Sequence, residues 1–245
     1  MVPHCEYLPW DSEFFGNRIA RVTSHRLNLA QLANVETWCA HNDIECLYFL
    51  ADSDDDETTL LAERSAFHLV DIRMTFALRD SACASLPSAD TAGRQAIPIR
   101  PARLSDVPGL ETIARTVHED SRFYYDHRFS KSRCSDLYAT WIRRSCEGFA
   151  DQVLIAEYAG QVAGYITCKC VDGENPHGVI GLVGVASAAR GMGLGPALVT
   201  RSLRWFDEQG VQEVEVVTQG RNIAAQRMYQ RCGFVSQSMR LWYHR

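Results

Sequence analysis

The sequence predicts a mixed α/β (α+β) fold: a central mixed sheet flanked by helices, with a smaller α/β unit ahead of it. Three observations carry this. Short apolar runs alternate with segments of helical periodicity along most of the chain. Two of those runs, Val153 to Glu157 and Val162 to Val171, are joined by Ala159-Gly160, a hairpin signal that makes part of the sheet antiparallel. A third run, Val179 to Ala186, leads into a glycine-rich loop and then an amphipathic helix.

The elements follow in order. Ile19 to Val22 reads as a strand. Leu29, Leu32, Ala33 and Val35 recur at helical spacing up to Trp38, and Ile44 to Leu50 is a second strand. Residues 58–66 suggest a short helix. Phe67 to Leu78 is a strand with Leu69, Ile72, Met74 and Phe76 among its apolar positions. Residues 80–96 lose this pattern to Ser, Ala, Asp, Gly and Pro87 and read as a linker. A boundary there divides the chain into a small α/β domain, 1–95, and a larger one, 96–245.

The larger part starts with the extended Ile97 to Arg100. Ser105 is the expected N-cap of a helix reaching His118, with Pro108 in its first turn. A polar and aromatic loop, Glu119 to Ser132, precedes a helix over 134–147 and the hairpin. After the strand 179–186, residues 195–209 form a helix with Ala197, Leu198, Trp205 and Phe206 facing inward. Val214 to Thr218 is a strand, and Asn222 to Arg231 a helix stopped by Gly233. Phe234 to Tyr243 closes the chain as extended structure.

Composition narrows the function classes. The 245 residues are 46% hydrophobic and 22% charged, enough apolar content for a substantial core. The net charge of −5 speaks against nucleic acid as a partner, since such domains usually carry a basic face. Pro3, His4, Glu6 and Pro9 interrupt any signal-like start, and no run approaches the roughly 18 apolar residues of a membrane span. A cytoplasmic protein without membrane association is expected. The 9 cysteines form no Cys-x-x-Cys pair, so they read as structural thiols in a reducing compartment and no metal is expected. Asp52, Asp54, Asp56 and Glu63 have the spacing of a calcium loop, but Glu57 stands where that loop needs glycine, so they read as a solvated acidic loop.

The sharpest motif is Arg190-Gly191-Met192-Gly193-Leu194-Gly195, between a strand and a helix. Glycines let the backbone turn tightly and approach a ligand. The first amides of a helix have no intrahelical acceptor, and the helix dipole favours an anion beside them. A pyrophosphate satisfies both, with Arg190 adding a charged contact; the alternative is a turn without a ligand. The spacing is not the Gly-x-Gly-x-x-Gly of a dinucleotide fold, and no Lys-Ser or Lys-Thr pair makes a P-loop. Pro196 lacks an N–H, which removes one donor from the cradle. Downstream, Asn222-x-x-Ala225-x-x-x-Tyr229 puts Asn222 and Tyr229 on one helical face about two turns apart. Asn222 can cap the helix or touch a ligand. Tyr229 is either a core tyrosine or a proton donor, since a phenol keeps its proton at neutral pH.

Arg-Gly-x-Gly-x-Gly after a strand resembles motif A of the GNAT superfamily of acyl-CoA N-acyltransferases, and Asn222 to Tyr229 resembles its motif B. The element order from 97 to 243 is also similar to that family's. The resemblance implies acetyl-CoA as co-substrate. It implies that the backbone of Val183 and Val185 pairs with the pantetheine arm, that residues 190–195 cradle the pyrophosphate, and that Tyr229 protonates the departing thiolate. Arg227 either flanks the cofactor or is a solvated helix arginine.

The acceptor is read from the first half of the chain. Leu8 to Gly16, with Trp10, Phe14 and Phe15, together with Ser121-Arg122-Phe123 and Tyr138 to Ile142, is similar to the branch of the superfamily that acetylates dTDP-linked amino-deoxysugars for surface polysaccharide synthesis. That resemblance implies a small-molecule acceptor and a substrate role for these aromatics; their alternative is hydrophobic docking between the two domains. Asp71 stands where the similar enzymes carry an acid and is a candidate base, though an Asp at its ordinary pKa near 3.9 is weak for that task and needs burial or a relaying water. The alternative is a strand-edge surface Asp. His118 and His127 are rival bases beside the loop 119–132. Arg122 is placed to reach a sugar-nucleotide phosphate or to be a solvated loop charge. Two other readings remain: acetylation of a protein N-terminus or an antibiotic-like amine, and a non-catalytic acetyl-CoA-binding module. A homodimer is compatible with the sequence and not required by it.

Overall fold

The computed structural model describes residues 4–79 and 97–245. The expected linker at 80–96, and with it the boundary at 95, lies outside the described residues. The N-terminal part runs β1 (Cys5–Tyr7), α1 (Pro9–Phe15), β2 (Ile19–Val22), α2 (Leu29–His41), β3 (Cys46–Asp52), α3 (Asp56–Arg64) and β4 (His68–Arg79). The remainder runs β5 (Ile99–Pro101), α4 (Val107–Val117), α5 (Lys131–Arg144), β6 (Gln152–Tyr158), β7 (Gln161–Val171), β8 (His177–Val185), α6 (Leu194–Glu208), β9 (Glu213–Gln219), α7 (Ile223–Arg231) and β10 (Val235–His244).

Local chemistry sets these boundaries. Asn28 and Gln31 form a reciprocal capping box at the start of α2. Ala159 and Gly160, both at positive φ, make the tight turn between β6 and β7. Two starts differ from expectation. Ser105 does not cap α4. It lies in a 3-10 turn, and the neighbouring Asp106 accepts from the Arg103 amide at 2.7 Å while pairing with Arg100 at 2.8 and 3.0 Å. A carboxylate satisfied by a guanidinium and an amide outcompetes a serine hydroxyl for that corner. Helix α5 begins at Lys131, ahead of the expected 134, because Ser130 accepts from the Arg133 amide. Pro9–Phe15 is helical, with Pro9 in the first turn and the left-handed Gly16 ending it.

The ten strands of the described residues join one sheet in the order β1-β2-β3-β10-β4-β9-β8-β7-β6-β5. Strand β10 lies between β3 and β4, antiparallel to both, and β4 then pairs with β9. The two stretches of chain thus share a continuous backbone ladder. One core, around Phe76, Ile166, Leu198, Phe206 and Val216, packs α6 and α7 on one face. A second, around Tyr48, Leu110, Phe123, Leu137 and Tyr165, packs α1, α4 and α5 on the other. Among the described residues, no helix is long and apolar enough to cross a membrane.

Candidate active site

The sheet opens where the site lies. Strands β8 and β9 run parallel and pair only over Gly178–Ile180 and Val214–Val216. Past Ile180 the two diverge. The Leu182 amide donates to the Thr167 hydroxyl at 2.8 Å and the Ala186 amide to the Ala163 carbonyl at 2.8 Å, both toward β7. Pleat alternation then turns the backbone groups of Val183 and Val185 the other way, into the opening. Those groups can pair with an extended ligand entering between the strands.

The glycine loop closes the foot of this opening. Gly191 and Gly193 have φ of 79° and 87°, a region that side chains with a Cβ rarely adopt. Gly193 is the N-cap of α6, so the amides of Gly193, Leu194 and Gly195 face outward without intrahelical acceptors. A Cβ on Gly195 would stand 2.7 Å from the Met228 sulfur, so this glycine lets α6 and α7 approach. Arg190 and Met192 are exposed, and Leu194 and Gly195 are buried. The loop therefore has the donor set and dipole for a pyrophosphate.

Helix α7 lies beside it. The Asn222 side chain accepts from the Ala225 amide at 3.1 Å, which is the capping arrangement. Arg227 is exposed. Tyr229 is buried, with its ring 6.2 Å from Phe76 and 5.8 Å from Phe234. Burial pushes its phenol above the ordinary range, so it holds its proton at every working pH.

Asp71 is 3% exposed, not a surface residue of a strand edge. Burial raises its carboxyl to about 6, against the opposing pull of Arg221 and the Ile72 amide. The Arg221 guanidinium is 3.6 Å away, bonds the Val70 and Asp120 carbonyls, and lies 3.5 Å over the Tyr125 ring. It ties β4, the loop after α4 and the start of α7 together. The motif reading overlooked Arg221; its place directly before the capping Asn222 was the available signal. Asp71 is five residues from Phe76, roughly 16 Å along β4. The odd spacing also puts Asp71 and Phe76 on opposite faces of the sheet, so the carboxylate and the Tyr229 ring that packs on Phe76 are well separated.

The other candidates separate. Arg122 lies over the rings of Trp242, Phe123 and Tyr48, at 4.0, 4.4 and 4.7 Å. Trp10 stacks on Phe14 and Trp141, and Phe15 packs on Phe123 and Phe129. These α1 rings buttress the loop that carries Arg122. His127 is exposed. His118 bonds the Tyr165 hydroxyl at 2.7 Å, and burial lowers its pKa to about 4. A buried trio, Cys46, Asp126 and His244, has its donor atoms within 4.8 Å of one another. Both Asp126 oxygens are already engaged, by His244 at 2.7 Å and by Arg128 at 3.0 and 3.2 Å, so the trio reads as a polar network under the loop.

The comparisons with known proteins agree with this geometry. Residues 114–234 match the acetyltransferase (GNAT) family, so this stretch of the chain is a GNAT acetyltransferase domain. It is 27% identical over 244 residues to dTDP-fucosamine acetyltransferase of Escherichia coli, covering 98% of this chain and 97% of that one. It is 25% identical over 144 residues to the spore coat polysaccharide biosynthesis protein SpsD of Bacillus subtilis, spanning 59% of this chain and about half (49%) of that protein's length. Among solved structures, a GCN5-related N-acetyltransferase from Sphaerobacter thermophilus superposes with a TM-score of 0.64 at 18% identity, over 98% of this chain and 75% of that one. A conserved protein of unknown function from Staphylococcus epidermidis does so with 0.66 at 14%, over 100% and 92%. At these identities the structural likenesses speak for the fold.

Proposed function

We propose that this protein transfers the acetyl group of acetyl-CoA directly to the amino group of a nucleotide-linked amino-deoxysugar, a dTDP sugar in the first instance, with Tyr229 as the acid. The family uses acetyl-CoA as co-substrate, and the divergent β8–β9 opening with its glycine cradle suits that molecule. The amine attacks the thioester carbonyl, the carbon–sulfur bond breaks, and Tyr229 gives its proton to the leaving thiolate. Asp71 takes the proton released by the amine. Its distance from Tyr229 along β4 calls for a relaying water between amine and carboxylate.

The observation that carries this reading is a buried carboxylate with a pKa raised to about 6 on β4, the strand next to β9, which borders the opening. At neutral pH it is ionised yet basic enough to receive a proton. The end-to-end similarity to dTDP-fucosamine acetyltransferase supports the sugar-nucleotide choice. The test is acetyl-CoA-dependent thiol release across a panel of dTDP- and UDP-linked amino sugars, peptides and aminoglycosides. Turnover on peptides or aminoglycosides with silence on every nucleotide sugar rejects this acceptor.

A further inference from the structure

The sheet face that carries Asp71 also carries an arginine cluster that the acetyl-transfer chemistry does not use. On β4, Arg73 follows Asp71 by two residues and so shares its face. Its lateral partners in the ladder are Arg240 on β10 and Gln219 on β9. The Arg73 Nε is buried without a hydrogen-bond partner, and so is the Nε of Arg122. Arg240 is answered by Asp52 at 2.8 Å, an acid that also serves Arg26 at 3.1 Å. Arg73 has no ion pair among the described residues; Glu215 attracts it only from a distance. Burial, then repulsion from Arg240 and Arg122, lowers its pKa. Directly opposed like charges in a ladder are unfavourable, as is a buried donor without an acceptor. A fold keeps such an arrangement at a cost that a bound anion would offset.

We propose that Arg73 and Arg240, with Arg122 above them, form an anion site that binds the phosphate groups of the acceptor. This rests on the reading of an acetyl-acceptor site beside Asp71. The spacing suits a glycosyl phosphate. Neighbouring strands are about 4.8 Å apart, so the backbones of Arg73 and Arg240 lie roughly 5 and 10 Å from β9, which borders the opening. A sugar ring spans that interval, with its amine at the opening and its anomeric phosphate over the arginines. Guanidinium forks suit phosphate oxygens.

The test is calorimetric binding of dTDP, inorganic pyrophosphate and inorganic phosphate to the full chain. Saturating CoA occupies the 190–195 loop so that only the second site is read. Arg73→Gln and Arg240→Gln should each weaken dTDP and pyrophosphate at least tenfold, while CoA affinity stays unchanged. Arg73→Lys should keep part of the affinity. dTDP as the tightest of the three indicates a nucleoside diphosphate; phosphate as tight as pyrophosphate indicates a glycosyl monophosphate. Both support the site. Equal affinity in wild type and Arg73→Gln, or no binding of any of the three to wild type, overturns it. Thermal unfolding of Arg73→Gln checks that the fold persists; should that variant unfold, Arg73→Lys and Arg240→Gln decide. The two readings fail separately. Arginine-dependent dTDP binding without acetyl transfer to any amine removes the acceptor chemistry and leaves the site. Amino-sugar turnover with an unchanged KM in Arg73→Gln removes the site alone.

Discussion

At the scale of single residues, the proposed mechanism divides the proton work between Asp71 and Tyr229 by environment. Asp71 accepts a proton only when ionised, and its pKa is raised to about 6. Activity should therefore rise with pH through about 6 and level off above it. In Asp71→Asn that acidic limb should vanish and kcat/KM fall by about a hundredfold or more. A pH–rate profile measured on both proteins checks this; an unchanged limb in the variant assigns it to another group. Tyr229→Phe should lower kcat by a similar factor, on the order of a hundredfold, with CoA affinity nearly constant, because only a group acting late on the thiolate is lost. A third residue matters for stability. Burial works to raise the Asp126 carboxyl, yet hydrogen bonds from His244 and Arg128 outweigh it and hold the carboxyl low. His244→Ala should destabilise the protein by about 2–3 kcal/mol in urea unfolding, since it strips a buried carboxylate of one partner.

At the scale of elements, the glycine loop and the start of α6 form one unit. Gly193→Ala places a Cβ at φ of 87°, which costs about 1–2 kcal/mol and shifts the outward amides. The expected outcome is a rise in the acetyl-CoA KM of tenfold or more with a folded enzyme; equal KM values would detach the loop from cofactor binding. This unit was the most legible part of the sequence, because glycine spacing reports backbone shape directly. The strands of the hairpin and the helices α6 and α7 were legible for a similar reason, as periodicity reflects a buried face. Asp71 was named from resemblance, but its burial was not legible, since it depends on Trp242 and Arg221 arriving from the far end of the chain. Arg73 and Arg240 went unread because a charge inside a strand acquires meaning only when its lateral partners are known, and Arg221 because its turn meets β4 only in the folded chain. The aromatic run at Trp10 to Phe15 hid helix α1, whose seven residues are too few to display a period.

At the scale of the whole molecule, the sheet binds the two stretches of chain into one cooperative structure. Strand β9 needs β4, and β10 needs β3 and β4. Residues 97–245 produced alone should lack a stable fold by circular dichroism and lose acetyl-CoA binding. Adding residues 1–79 in trans should restore both. A folded, CoA-binding fragment of 97–245 would instead show that the second part stands by itself.

The position of β10 also dictates a timetable. Of the described strands it is the last to leave the ribosome, and it belongs between two that emerge long before it. Until it arrives, β3 and β4 present open edges to any other extended chain, a known invitation to aggregation. Pairing Arg240 with Asp52 joins residues 188 apart in sequence, and contacts of that separation slow the final step. The nascent protein must therefore be kept from self-association during synthesis, and its yield should depend on temperature and chaperone supply more than its finished stability would suggest.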